Sequence, residues 1–239
     1  PPPTPDNYTL THSSAASDVY KRQVVEHVFG VLLSLTHSLE RYHRSVRAGA
    51  WQQSTDFCML HYPVRELSSM TLGVVGYGAL GQGVARIARE FGMTVLVSAR
   101  PGSETVPDGR VAFDRLLAKA DVISLHCPLT DDTRNLFSAR EFEAMKRTAI
   151  LINTARGGLV DSQALADALA NGEIAAAAVD VLPEEPPVDG DPLLDYDGDN
   201  LIVTPHTAWA TDAARQNAID ELAANTAAFL DGSERNRIV

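Results

Sequence analysis

An α/β fold built on a doubly wound parallel sheet is predicted by three observations. Short apolar segments recur from Thr71 onward without the strict alternation of a half-exposed strand, the pattern of strands buried on both faces. Segments with helical spacing separate them, as helices covering a parallel sheet require. The first apolar segment runs directly into Val75-Gly76-Tyr77-Gly78-Ala79-Leu80-Gly81 and then into a helix, the context in which a G-x-G-x-x-G turn is informative.

The elements follow in order. Residues 1–23 do not read as a folded element: Pro1, Pro2, Pro3 and Pro5 prevent regular structure, and Thr11 to Asp18 offers little to bury. Val24, Val28, Val31, Leu32, Leu35 and Leu39 then fall three and four residues apart, predicting a helix over 24–47 that Gly49 closes. Residues 58–69, with Pro63 among them, read as a linker. Thr71–Val75 is the first strand. A helix over 80–91 carries Val84, Ile87, Ala88 and Phe91 on one face, with Gly92 beyond its end. A second strand covers 94–98, a short helix Phe113–Lys119 and a third strand 121–125. Ser138 and Glu141 form a capping box for a helix over 138–146. A strand over 149–153 follows, and Asp161 caps a helix ending at Asn171 before Gly172. The last strands are 175–181 and Leu201–Val203. Thr211 or Asp212 opens a long amphipathic helix that ends near Gly232. Right-handed crossovers make such a sheet doubly wound.

Composition narrows the function classes. A chain of 239 residues holds one large domain, or one domain and part of a second. Lys and Arg total 20 against 31 Asp and Glu, a net charge of −11 spread along the chain; such a surface repels phosphate backbones, so no nucleic-acid partner is expected. Cys58 and Cys127 are too few and too far apart for a disulfide framework or a zinc site, so no metal is expected and a reducing cytoplasm is the simplest location. The apolar runs are too short to span a membrane, and no signal peptide is evident.

The glycine turn has a specific physical reading, that of a Rossmann-type dinucleotide site. Gly76 permits the tight turn, Gly78 lets backbone approach a pyrophosphate, and Gly81 lets the helix pack closely on the sheet. The helix start, at Ala79 and Leu80, offers free N–H groups and positive potential to phosphates. An acid roughly 20 residues on would bind the adenosine 2′-hydroxyl, but the second strand ends Val97-Ser98-Ala99-Arg100 with no acid at its tip. Either Arg100 and Ser98 accept a 2′-phosphate, or Arg100 is a surface charge and NAD is used without an acidic anchor. NAD and NADP both stay open. Glu104, beside the Pro101-Gly102 turn, is left unplaced.

Reacting groups in such a sheet belong at the carboxyl ends of its strands. Arg156, in Asn153-Thr154-Ala155-Arg156-Gly157-Gly158, presents a guanidinium fork suited to a substrate carboxylate; the competing reading is a surface salt bridge. His206, in Thr204-Pro205-His206, is a candidate proton donor to a ketone. Of the seven histidines, His126 is its one competitor at a strand end; His12, His27, His37, His43 and His61 lie in the leader, helical or linker regions. Glu185 follows another strand, and a carboxylate bonded to a histidine orients the ring and favours its protonated form. Spacing does not separate Glu185 from Glu184.

Together these residues resemble the D-isomer-specific 2-hydroxyacid dehydrogenases. The resemblance rests on Val24-Val25-Glu26-His27-Val28-Phe29, the glycine turn, Leu125-His126-Cys127-Pro128-Leu129-Thr130, Asn153 to Asp161, Val179 to Pro186 and Thr204-Pro205-His206, in the family's order from about Val24 to the end. It implies a catalytic set of Arg156, Glu185 and His206. The family's glutamate lies five residues after Asp180, which selects Glu185. It also implies that His126, Cys127 and Pro128 line the nicotinamide pocket, with Thr154, Ala155 and Asp180 nearby. Arg156 then holds the carboxylate of a 2-keto acid while His206, supported by Glu185, donates a proton as the dihydronicotinamide delivers hydride. His206-Thr207-Ala208-Trp209 resembles the glycerate dehydrogenase (hydroxypyruvate reductase) branch, which implies hydroxypyruvate or glyoxylate, reduced to D-glycerate or glycolate. The family implies a homodimer involving the helix over 24–47. The alternative is a dinucleotide-sensing corepressor that binds partner proteins without turnover.

Two departures from the family shape the expectations. Its members begin with a substrate lobe that the C-terminal helix completes. That lobe is missing from the reading, which therefore divides the chain into a foreign leader at 1–23, an NAD(P)-binding domain at 24–207 and a returning helix at 208–239. Such a chain is expected to expose an apolar face on that helix and to bind cofactor better than it turns over substrate. The second departure is Ala99, at the usual acidic position.

Overall fold

Successive residues of a strand point to opposite faces of its sheet, and here both faces are apolar. Leu72, Val74, Val122, Ile150, Ile152, Ala176 and Ala178 belong to one core cluster. Their neighbours Val75, Ile123, Leu125, Leu151, Ala177 and Val179 belong to the other. This two-sided burial explains the unbroken apolar runs of the sequence.

The computed structural model describes residues 22–103 and 105–235. The leader reading of residues 1–21, with His12, and the position of Glu104 lie outside the described residues. The elements are α1 (Arg22–Thr36), α2 (Leu39–Arg47), β1 (Thr71–Val75), α3 (Ala79–Glu90), β2 (Thr94–Val97), α4 (Phe113–Lys119), β3 (Val122–Leu125), α5 (Ala139–Ala144), β4 (Ile150–Asn153), α6 (Ser162–Ala170), β5 (Ala176–Val179), α7 (Pro192–Asp195), β6 (Leu201–Val203) and α8 (Asp212–Asp231). The six strands lie in the order β2-β1-β3-β4-β5-β6, and every pairing is parallel. From β1 the chain steps out to β2 and then returns across β1 to β3. The order therefore reverses between β1 and β3, and the crevice outside their carboxyl ends is where an open parallel sheet takes its ligands.

Helices cover both faces. Val25, Val28 and Leu32 of α1 join Val84, Ala85 and Ala88 of α3 on the first; Leu116 of α4, Phe142 of α5 and Leu165 of α6 cover the second. Local caps match the sequence signals. Ser138 and Glu141 form their capping box before α5, the Asp161 side chain accepts from the Ala164 N–H, and the Thr211 hydroxyl caps α8, which Gly232 closes with φ 77°.

Three features differ from the sequence reading. The helix expected over 24–47 is two helices. Ser38 adopts a left-handed φ of 51° and donates its hydroxyl to the Pro63 carbonyl at 2.9 Å, so the second helix turns away and Leu39 is left 54% exposed. The first helix begins at Arg22, and Gln23 is buried. A short helix, α7, was not expected; Pro192 opens it and the Asp191 carboxylate caps it. On α8, Ile219, Leu222, Phe229 and Leu230 are exposed, and their spacing of three, seven and one places them on a single stripe with Thr226. Among the described residues no helix is long and apolar enough to cross a membrane.

Candidate active site

The turn between β1 and α3 is built for close approach. Gly76 has φ 91°, and a Cβ there would lie 2.4 Å from the Cys127 backbone nitrogen. A Cβ on Gly81 would lie 2.1 Å from the Gly76 carbonyl oxygen. Both positions are closed to any other residue. Gly78, the N-cap of α3, has nothing within 4 Å of its would-be Cβ. The turn is thus locked from behind and open in front, with the first N–H groups of a 12-residue helix beside it, which suits a pyrophosphate. The residues present fit a dinucleotide.

At the tip of β2, Ser98 is buried and donates its hydroxyl to the Ala99 carbonyl at 2.6 Å. It therefore supports the strand end from within. Arg100 is exposed and donates to Asp132 at 2.7 Å. Because β1 lies between β2 and β3, this pair bridges the crevice from one side to the other. Arg110 reaches the same place: it donates to the Ser98 carbonyl at 3.2 Å and stacks 4.8 Å over the Tyr77 ring. Asp132 and Arg110 escaped the sequence reading, because no spacing rule ties either loop position to the β2 tip.

The segment after β3 supplies His126 and Cys127. The His126 ring bonds the Ser124 hydroxyl at 2.8 Å, and burial lowers its pKa to about 4. His126 is therefore neutral near pH 7 and a poor proton donor. Burial also pushes the Cys127 thiol pKa up, so the thiol stays protonated and unreactive. Pro128 is exposed at the start of the following loop.

After β4, the buried Asn153 amide shapes the loop. It accepts from the Ala155 N–H at 3.1 Å and donates to the Arg156 carbonyl at 2.9 Å. Arg156 is exposed, and one of its N–H groups meets the Ala155 carbonyl at 2.6 Å. Behind it Gly157 lies so close to the next loop that a Cβ would sit 1.9 Å from the Leu182 carbonyl carbon. The Thr154 hydroxyl is buried with no hydrogen-bond partner among the described residues, an unsatisfied polar group that calls for a partner.

Asp180, the residue after β5, is almost fully buried, at 1% exposure. Its carboxylate accepts from the Thr204 hydroxyl and from the backbone N–H groups of Thr207 and Ala208. Its own carbonyl accepts from the His206 N–H at 2.8 Å. These bonds curl the chain after β6 and hold His206 at a left-handed φ of 54°. The ring is thereby turned to Glu185, whose Oε2 lies 2.7 Å from His206 Nδ1. A carboxylate only accepts, so Nδ1 carries the hydrogen. The other Glu185 oxygen accepts from the Leu182 N–H at 2.9 Å, which fixes the carboxylate. Glu184 is exposed and has no such contact. Arg156, Glu185 and His206 thus follow the carboxyl ends of the neighbouring strands β4, β5 and β6; Glu185 and His206 are in contact, while the Arg156 guanidinium bonds the Ala155 carbonyl. Among the described residues no group of three or more His, Cys, Asp or Glu is placed to hold a metal.

Comparison with known proteins agrees with this geometry. Residues 29–208 match the family described as D-isomer specific 2-hydroxyacid dehydrogenase, NAD binding domain. The chain is 47% identical to a glycerate dehydrogenase of Methylorubrum extorquens over 89% of its own length and 67% of that protein. It is 41% identical to a putative 2-hydroxyacid dehydrogenase of Haemophilus influenzae over 87% of itself and 66% of that protein. Among solved structures, a D-lactate dehydrogenase with NAD+ from Lactobacillus jensenii superposes with a TM-score of 0.78 at 31% identity, covering 92% of this chain and 68% of that one. The chain thus spans about two thirds of the length of such relatives. The six-stranded parallel sheet, the locked glycine turn and these matches place the chain in the D-isomer specific 2-hydroxyacid dehydrogenase family, of which it carries the NAD-binding domain.

Proposed function

We propose that the protein to which this chain belongs reduces a small 2-keto acid with a nicotinamide dinucleotide, and that hydroxypyruvate or glyoxylate is the substrate, giving D-glycerate or glycolate. The 2.7 Å contact between His206 Nδ1 and Glu185 carries this reading. It orients an imidazole with Nε2 free to exchange a proton, at the carboxyl ends of the same parallel strands whose β1 carries the glycine turn. Bound NADH supplies the hydride. Arg156 binds the substrate carboxylate through its guanidinium fork, and His206 passes the proton from Nε2 to the carbonyl oxygen. In the reverse direction the neutral ring takes that proton back. Neutral His126, with Cys127 and Pro128, walls the nicotinamide side, and the Thr154 hydroxyl, Ala155 and Asp180 border it. The names of the glycerate dehydrogenase relative and of a hydroxypyruvate reductase from Blautia hydrogenotrophica, 36% identical, favour these substrates.

Because the chain spans about two thirds of its relatives, turnover by this stretch alone is expected to be weak beside its affinity for cofactor. Acceptance of a 2′-phosphate turns on Arg100, which Asp132 already engages. A cytoplasmic homodimer, formed with the help of α1 and α2, is the expected assembly. The corepressor reading has no observation in its favour. The test is a steady-state comparison of hydroxypyruvate and glyoxylate with pyruvate, phenylpyruvate and phosphohydroxypyruvate, using the full-length protein. Preference for any of the last three overturns the substrate assignment, and full activity of His206→Ala overturns the mechanism.

A further inference from the structure

The loop that carries His206 is held from a distant part of the chain. His27 lies on α1, and its Nε2 is 3.2 Å from the Thr204 hydroxyl oxygen and 3.8 Å from Asp180 Oδ1. The Thr204 hydroxyl hydrogen is given to Asp180. Its oxygen is therefore free to accept, and His27 Nε2–H is the donor. One turn earlier on the same helix face, the buried Gln23 amide makes a longer contact, 3.5 Å, with the Trp209 carbonyl. Residues four apart share a helix face, so a single edge of α1 touches the segment at both ends, on Thr204 and on Trp209. Between those two points the Asp180 carboxylate holds the Thr207 and Ala208 amides, and His206 stands at its left-handed φ of 54°.

We propose that His27, assisted by Gln23, is a positioning residue for His206. It acts through the relay from His27 to the Thr204 hydroxyl, to the Asp180 carboxylate, and to the Thr207 and Ala208 amides. The buried carboxylate needs every acceptor site filled and its orientation fixed. Thr204 has one hydroxyl to do this, and His27 fixes the rotamer in which that hydroxyl points at Asp180. Without His27, Thr204 is free to rotate toward another acceptor, and the curl that turns His206 to Glu185 loosens. The inference rests on the reading of His206 as the proton donor for its catalytic meaning, but the mechanical claim is testable without turnover.

The test is amide hydrogen exchange followed by NMR on the chain itself, in the wild type, His27→Ala, His27→Gln and Thr204→Val. The Val74 and Ile152 amides of the central strands serve as internal reference for global stability. His27→Ala is expected to speed exchange at Thr207 and Ala208 at least tenfold relative to the reference, and to lose the protected His206 Nδ1–H signal. His27→Gln, which keeps a donor on a side chain of similar reach, is expected to restore both to within about threefold of wild type. Thr204→Val, which removes the acceptor for His27 and the donor to Asp180 together, is expected to exchange at least as fast as His27→Ala; should His27→Ala fail to fold, His27→Leu, which fills the site without a donor, decides the matter. Unchanged Thr207 and Ala208 protection in a variant lacking the donor, or equal loss in His27→Ala and His27→Gln, overturns the proposal. Neither result bears on whether His206 is the acid, which His206→Ala reports separately.

Discussion

Acid should destabilise this domain through His126. Its ring follows β3, bonded to the Ser124 hydroxyl, and burial lowers its pKa from 6.5 to about 4. The unfolded chain therefore binds a proton at a pH where the folded chain refuses it. Stability is fully present above pH 6.5 and falls as pH drops toward 4. With these two values, linkage gives a loss of about 2 kcal/mol at pH 5 and about 3 kcal/mol at pH 4. For a domain of this size 1 kcal/mol moves Tm by about 2–4 °C, so the drop at pH 5 corresponds to about 4–8 °C. The assay is urea denaturation at pH 7.5 and pH 5 for wild type and His126→Gln, which keeps a partner for Ser124 but does not titrate. The difference between the two pH values should be smaller in the variant by about 2 kcal/mol. Equal acid sensitivity in both proteins would refute the reasoning, since other titrating groups are common to the two.

The other predictions concern the crevice and the exposed helix. Glu185→Gln should lower kcat/KM for hydroxypyruvate in the full-length protein by about 10²-fold or more while leaving KM for cofactor unchanged, and Glu184→Gln should be near wild type; similar losses in both would remove Glu185 from its role. Asp132→Asn frees Arg100 from an exposed pair and should tighten NADPH relative to NADH by about two- to fivefold in a binding titration. An unchanged ratio would mean that Arg100 does not meet the 2′-position. On α8, Leu222→Gln with Phe229→Ser should leave the stability of this chain within about 0.5 kcal/mol of wild type, because both side chains are exposed. A larger loss by thermal denaturation would show that the stripe is covered.

The sequence made the strands and the glycine turn legible because both depend on local constraints. Apolar runs mark strands buried on two faces, and Gly81 is fixed by the Gly76 carbonyl within the same turn, whereas the backbone that crowds Gly76 belongs to His126 and Cys127 after β3 and is not visible locally. Caps such as Asp161 and Thr211 are equally local. The break between α1 and α2 was hidden, because its cause is a hydroxyl bond from Ser38 to a carbonyl 25 residues on, while apolar spacing continues through it. Glu185 and Glu184 looked alike to spacing; only the fold turns one of them to His206. His27 read as one more helical residue, since its partner Thr204 lies 177 residues away. The helical pattern did not extend back to Gln23 for the same reason: its burial depends on the Trp209 segment, which no local pattern reports.

A fluorescence titration of this chain with NADH tests the central claim most directly, run on the wild type beside Gly81→Ala and His206→Ala. The account predicts saturable binding by wild type and His206→Ala, and its loss in Gly81→Ala, whose new Cβ would lie 2.1 Å from the Gly76 carbonyl oxygen. Absence of binding by the folded wild type, or undiminished binding by Gly81→Ala, would contradict it.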